Sequence, residues 1–216
     1  MNFVKTCSYV LYMLTQEQLA HLKFPLGGMK KEETRTIAEK LGLCNAQKHD
    51  SQDICFVPDG YYVKFMEQYS GKKYHDGLIL DESGTVIGTH HGAVRYTTGQ
   101  RKGLGIATPL PMYVVKKDME ENVIIAGLET SLYANTLYAD EMNWLSISCP
   151  SEKIYVKAKT RYRQEEQWAT VYPEGESKIK LVFDQPQKAI TIGQAVVLYK
   201  DDDIIGGGTI YRVSNS

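Results

Sequence analysis

Apolar and polar positions follow two different periods along the chain, and the change falls near residue 70. Upstream, Thr34, Ile37, Ala38 and Leu41 recur at i, i+3, i+4 and i+7 before Gly42, the spacing of a helix with one apolar stripe and a glycine at its C′ position. Thr15-x-x-Gln18 has the form of a capping box and predicts an earlier helix start. A third helix is predicted with Tyr62, Phe65, Met66 and Tyr69 on one face, Asp59 as candidate N-cap and Gly71 after its end. From Gly77 the runs become short, β-rich and separated by turn residues. Asp81-Glu82-Ser83-Gly84 joins Leu78–Leu80 to Thr85–Ile87 as a hairpin, and strands are predicted over 112–117, 123–126, 154–163, 168–172, 178–183, 195–199 and 209–213. Even spacing of this kind suits a barrel or sandwich.

Composition narrows the class. The chain has 216 residues, 43% hydrophobic and 24% charged, enough to bury a core as one large domain or two small ones. A formal net charge of −1 excludes a globally basic nucleic-acid binder, so any RNA contact has to come from a local patch. The apolar run Tyr9–Leu14 is too short for a membrane span and has the wrong flanks for a signal peptide, so a cytoplasmic location is the default expectation, with no membrane partner. Cysteines at 7, 44, 55 and 149 form no C-x-x-C pair and read as thiols. His90 and His91 are adjacent, and strand neighbours point oppositely, so no metal site is expected.

The segment Asp50-Ser51-Gln52-Asp53-Ile54-Cys55-Phe56 carries the candidate chemistry. By spacing alone, a cysteine between two apolar residues reads more readily as a small buried hydrophobe than as a nucleophile. Together with Ser8-Tyr9-Val10-Leu11-Tyr12, Phe24-Pro25-Leu26-Gly27, the run Tyr96–Gly105 and Arg161-Tyr162-Arg163-Gln164, in that order, the segment resembles the tRNA-specific 2-thiouridylase family, enzymes that place sulfur on the wobble uridine of tRNA. The resemblance covers essentially the whole chain. It implies that Cys55 accepts sulfur from a cysteine desulfurase or relay protein and carries it as a persulfide, which requires a reactive thiolate. It also implies tRNA contacts at Lys5, Arg161, Tyr162 and Gln194. The family activates uridine with ATP and magnesium on a Ser-Gly-Gly-x-Asp-Ser loop. No such loop occurs in this sequence, and the cluster Gly103–Thr108 lacks the strand–turn–helix context of a nucleotide site, so this chain alone is expected to lack the ATP site and to be inactive by itself.

A basic strand gives separate support for RNA. Alternation over 154–163 places Lys157, Lys159, Arg161 and Arg163 on one face with Tyr155 interleaved, and Ile154, Val156 and Ala158 on the other; a row of cations with an aromatic neighbour is a reasonable RNA footprint, and equally a solvated strand face. Gln100-Arg101-Lys102 forms a second basic cluster in a glycine-shaped loop with no assigned role. The expected fold class is α+β: a helical segment over 1–52, a β-rich central domain over 53–147 and a C-terminal, tRNA-binding β-barrel over 148–216. The expected function is sulfur transfer to tRNA, the alternative a non-enzymatic RNA-binding module or a truncated inactive paralogue.

Overall fold

The computed structural model describes residues 9–48 and 62–214; Lys5, Cys7, Cys55 and the proposed N-cap Asp59 lie outside the described residues. Among those described, three α-helices precede ten strands, an α+β fold. Helix α1 (Gln16–Ala20) starts on the capping box: the Thr15 hydroxyl accepts from the Gln18 N–H, and the Gln18 side chain accepts from the Thr15 N–H. Helix α2 (Lys31–Lys40) ends where Gly42 enters the left-handed region at φ +65°. It buries none of its residues, and Ile37 and Leu41 are exposed. In α3 (Tyr62–Ser70) the buried residue is Val63, beside the predicted face, on which Phe65 and Met66 are half-buried while Tyr62 and Tyr69 are exposed; Tyr69 stacks on Phe65. No helix among the described residues is long and apolar enough to cross a membrane.

The chain divides into two compact units. The central unit, built from residues 62–134 with Gln187–Ile190, holds a four-stranded sheet in the order β2-β1-β4-β3. Its strands are β1 (Gly77–Asp81), β2 (Val86–His90), β3 (Tyr113–Asp118) and β4 (Val123–Gly127). The β1–β2 hairpin is closed by Asp81, whose carboxylate accepts from the N–H groups of Ser83 and Thr85. The Ser83 hydroxyl, which donates to the same carboxylate at 2.6 Å, and then these N–H groups hold its carboxyl below the ordinary range. Ile79, Val114 and Ile124 pack from the sheet against Ala93, Tyr96 and Leu104.

The other unit takes residues 9–48, 135–186 and 191–214. Its strands close into a barrel, β10-β5-β8-β7-β6-β9, which leaves no edge strand. They are β5 (Tyr133–Trp144), β6 (Ile154–Lys159), β7 (Gln167–Pro173), β8 (Ile179–Lys188), β9 (Ala195–Lys200) and β10 (Asp203–Ser214). The barrel therefore takes in β5, a strand that the runs of β-rich residues do not mark, and the expected boundary at 147/148 falls inside it, between β5 and β6. Residues of β9 are buried in succession from Val196 to Tyr199. A strand covered on both faces needs a second layer, and here Tyr9 and Tyr12 of the 3-10 helix Tyr9–Met13 pack with Val197, Tyr199 and Ile204.

His90 is fully buried in the central unit, beside the Tyr96 ring. Its Nδ1 accepts from the Gly92 N–H at 3.1 Å while Nε2 faces the Asn122 carbonyl at 3.1 Å, an arrangement that fits the neutral Nε2–H tautomer. His91 points outward to Asp76. Burial pushes the His90 pKa below its ordinary value of 6.5. The unfolded chain therefore takes up the proton first as pH falls, so stability is complete above about 6.5 and is lost progressively below it. The urea midpoint is expected to fall between pH 7 and pH 5, and less steeply in His90→Gln; parallel curves for both chains would contradict this.

Candidate nucleic-acid interface

Strand β6 ends at Lys159, and the chain then turns through residues 160–164. Gln164 closes that turn: its Oε1 accepts from both the N–H and the hydroxyl of Thr160, each at 2.9 Å, and its N–H donates to the Arg161 carbonyl at 3.2 Å. Thr160 is buried, so these bonds satisfy donors that water cannot reach. The turn lifts Arg161, Tyr162 and Arg163 out of the strand. The Arg161 guanidinium donates to the Thr191 hydroxyl at 3.3 Å. Thr191 opens the turn before β9, where its carbonyl accepts from the Gln194 N–H at 3.2 Å and Gln194 and Ile210 bond by their backbones. Arg161 and Gln194, 33 positions apart in sequence, are thus joined through one residue.

Tyr162, 41% exposed, meets the ring of Tyr9 edge to face at 6.2 Å. The Tyr9 hydroxyl donates to the Ala195 carbonyl at 2.9 Å, next to Gln194. Burial, then the neighbouring Tyr12 and Tyr199, push the Tyr9 hydroxyl up to about 12, against the opposing pull of Arg161, so it stays a donor at any physiological pH. The Gln194 Oε1 is buried and accepts no hydrogen bond from the described residues. Of the residues singled out from sequence, Arg161, Tyr162 and Gln194 come together; Lys5 and Cys55 lie outside the described residues. Sequence reading missed Tyr9 and Thr191 as parts of this site. The motif Ser8–Tyr12 pointed to the first as a resemblance only, and no signal pointed to the second.

The basic stripe does not form. Lys159 is buried, 3.9 Å from Glu166 and over the Tyr199 ring. The cause is the second layer: Lys159 pairs with Val197, on the part of β9 that Tyr9 covers, so the outer face at that end is not solvated. Arg161 and Arg163 lie beyond the strand end. Lys157 is half-exposed and sits over Trp168, whose ring stacks on Tyr155 at 4.8 Å. What reaches solvent at the barrel end is a two-turn cluster, not a row.

Three family models match the chain in succession. They are a tRNA methyl transferase HUP domain at residues 2–59, a tRNA methyl transferase PRC-barrel domain at 63–127 and an aminomethyltransferase beta-barrel domain at 134–210. The last coincides with the barrel strands, and the exposed α2 falls inside the first. A tRNA-specific 2-thiouridylase of Acetivibrio thermocellus is 47% identical over 95% of this chain and 57% of its own length. One of Symbiobacterium thermophilum is 46% identical over 98% of the chain and 54% of its own length. One of Caldanaerobacter subterraneus is 45% identical over 98% and 58%. The chain thus spans somewhat more than half the length of the curated relatives it matches.

Because Gln164 closes the turn that presents Arg161 and Tyr162, Gln164→Ala is expected to cost about 1–3 kcal/mol by stranding the Thr160 donors. It should also raise amide hydrogen exchange at 160–164 while the strands stay protected. Unchanged exchange there would show that the turn is held by other means.

Proposed function

Because the chain belongs to the family of tRNA-specific 2-thiouridylases, we propose that it takes part in thiolation of a tRNA uridine, with the barrel end gripping tRNA and Cys55 carrying the sulfur. The observation that carries the reading is the convergence of Arg161, Tyr162 and Gln194 on one end of a closed barrel. A guanidinium and an exposed aromatic ring are groups that meet a phosphate and a base. Lys5, four residues before the segment that packs on the barrel, is proposed as a further tRNA contact. The model descriptions speak of methyl transfer, but the relatives matched over nearly all of this chain are named for thiolation, and thiolation is the chemistry that a thiol at Cys55 serves.

In this reading a cysteine desulfurase or relay protein hands sulfur to the Cys55 thiolate, which attacks the donor's persulfide and releases the donor as a thiol. With the uridine carbonyl activated by ATP and magnesium, the terminal sulfur of the Cys55 persulfide attacks the carbonyl carbon and displaces AMP. A second thiol then attacks Cys55 to release the thiouridine, leaving a disulfide between the two cysteines. The sequence holds no phosphate loop for ATP, so this chain is proposed to supply the sulfur carrier and the tRNA grip and to need the ATP site from elsewhere.

Incubation with a cysteine desulfurase, followed by mass spectrometry of peptides, should find the added sulfur on Cys55. Loading of Cys7 or Cys44 in its place would overturn the assignment. Arg161→Ala is expected to weaken tRNA binding at least about tenfold, the cost of losing one charged hydrogen bond. It should also lower the slope of log affinity against log salt by about 0.7 to 0.9. Wild-type affinity and slope in a filter-binding titration, with circular dichroism unchanged, would remove the barrel end from tRNA recognition.

A further inference from the structure

The loop over residues 96–112 holds the basic cluster that the barrel-end site does not use. It is a fixed structure. Leu104 is buried in the core of the central unit, with Ile106 packed beside it. Gln100 clamps the first turn, accepting from the Thr97 N–H at 3.0 Å and donating to the Lys102 carbonyl at 2.9 Å. Backbone bonds from Gly99 and to Gln100 tie the same turn to Val114 of β3.

Between these anchors Gly103 and Gly105 take φ of +80° and +67°. A Cβ at Gly103 would come no closer than 3.7 Å to a neighbour, and one at Gly105 would meet nothing within 4 Å. The backbone conformation, and not a lack of space, therefore calls for glycine here. Glycines in this region let the chain turn tightly enough to leave backbone N–H groups unused along the loop, and such groups can serve anions as donors. The N–H groups of Arg101, Lys102, Gly103 and Gly105 find no acceptor among the described residues. Buried or exposed, such groups need a partner, from solvent or from a ligand. Arg101 and Lys102 are exposed beside them, and Arg101, Gly103 and Gly105 line an open cleft of about 370 Å³. The nearby carboxylate that Arg101 influences, Glu129, is already paired with Lys188, which holds its carboxyl low. Two exposed cations thus stand together on the loop although the chain's net charge is −1.

We propose that this loop binds a phosphate group, and that its occupant is a phosphodiester of the RNA backbone; the occupant rests on the tRNA reading above. The remaining cleft wall is Thr108 with aliphatic and proline side chains, and no aromatic ring lines it among the described residues, so it offers a base nothing to stack on. The loop meets phosphate alone and carries no sequence preference.

The test is a titration of the ¹⁵N-labelled chain with inorganic phosphate and, separately, with a tRNA anticodon stem-loop. The amides of Gly103, Gly105 and Gln194 are followed in both. Saturable shifts of Gly103 and Gly105 with the stem-loop are expected, and Arg101→Gln/Lys102→Gln should lower the salt slope of binding by about 0.7 to 0.9 for each phosphate no longer neutralised. If RNA shifts Gln194 but leaves Gly103 and Gly105 unmoved, the loop site is overturned and the tRNA reading stands. Shifts of the two glycines with phosphate but not with RNA overturn the RNA occupant, and no RNA-induced shift anywhere overturns both.

Discussion

At Gly206, Gly207 and Gly208 the backbone of β10 is approached so closely that no side chain fits. A Cβ would lie 2.5 Å from the Asn143 carbonyl at the first, 2.6 Å from the Tyr12 ring at the second and 2.6 Å from the Asp140 carbonyl at the third. β5 presses on one side, and the N-terminal 3-10 helix lies over the middle position. The Tyr12 carbonyl, with that of Leu14, accepts from the Asn143 side chain, which fixes the N-terminal segment to the same strand pair. With Tyr12 seated, Tyr9 reaches Ala195 and meets Tyr162, and the turn bearing Arg161 gains its aromatic wall. The candidate interface is thus built on an absence of side chains, since a methyl group at Gly207 collides both with an aromatic ring and with the Val196 carbonyl 2.8 Å away.

The same second layer sets the electrostatics. By covering Val197 and Tyr199 it draws Lys159 out of solvent and into a pair with Glu166, so a cation counted on the surface from sequence is internal. Paired charges in a dry site fix position more than they add affinity. The cations left for a polyanion sit on turns: Arg161 and Arg163 after β6, Arg101 and Lys102 in the glycine loop. A protein of near-zero net charge can grip a nucleic acid in this way, through small clusters held by rigid turns.

Much of the fold is legible in the sequence because local chemistry and tertiary structure agree. Thr15 and Gln18 form the capping box, Gly42 closes its helix, and Asp81 organises the hairpin, each through atoms within four residues of one another. Strand β5 escapes because its burial does not alternate: Thr136 and Leu137 are both buried, and Glu141 at φ +55° breaks the run near its end. The turn after Lys159 escapes because alternation, once begun, gives no sign of stopping; Gln164, which stops it, reads as one more polar residue. Arg161, Tyr162 and Gln194 were nameable by family resemblance, but their meeting was not. It runs through the hydroxyl of Thr191 and through a ring more than 150 positions upstream, and neither leaves a periodic trace.

That distance has a temporal side. The Tyr9–Ala195 bond joins residues 186 apart, and Gln16 bonds to Leu145 across 129. During synthesis the segment that carries Tyr9 is finished long before β9 and β10 exist to receive it, and closure over such a span is entropically slow. Until then, Tyr9 and Tyr12 are exposed apolar surface in search of a partner. The last strand of the barrel to be made seats a segment made long before it, so a ribosome that stalls between residues 190 and 195 leaves a chain whose central unit is complete in sequence and whose 3-10 helix still has no closed barrel beneath it.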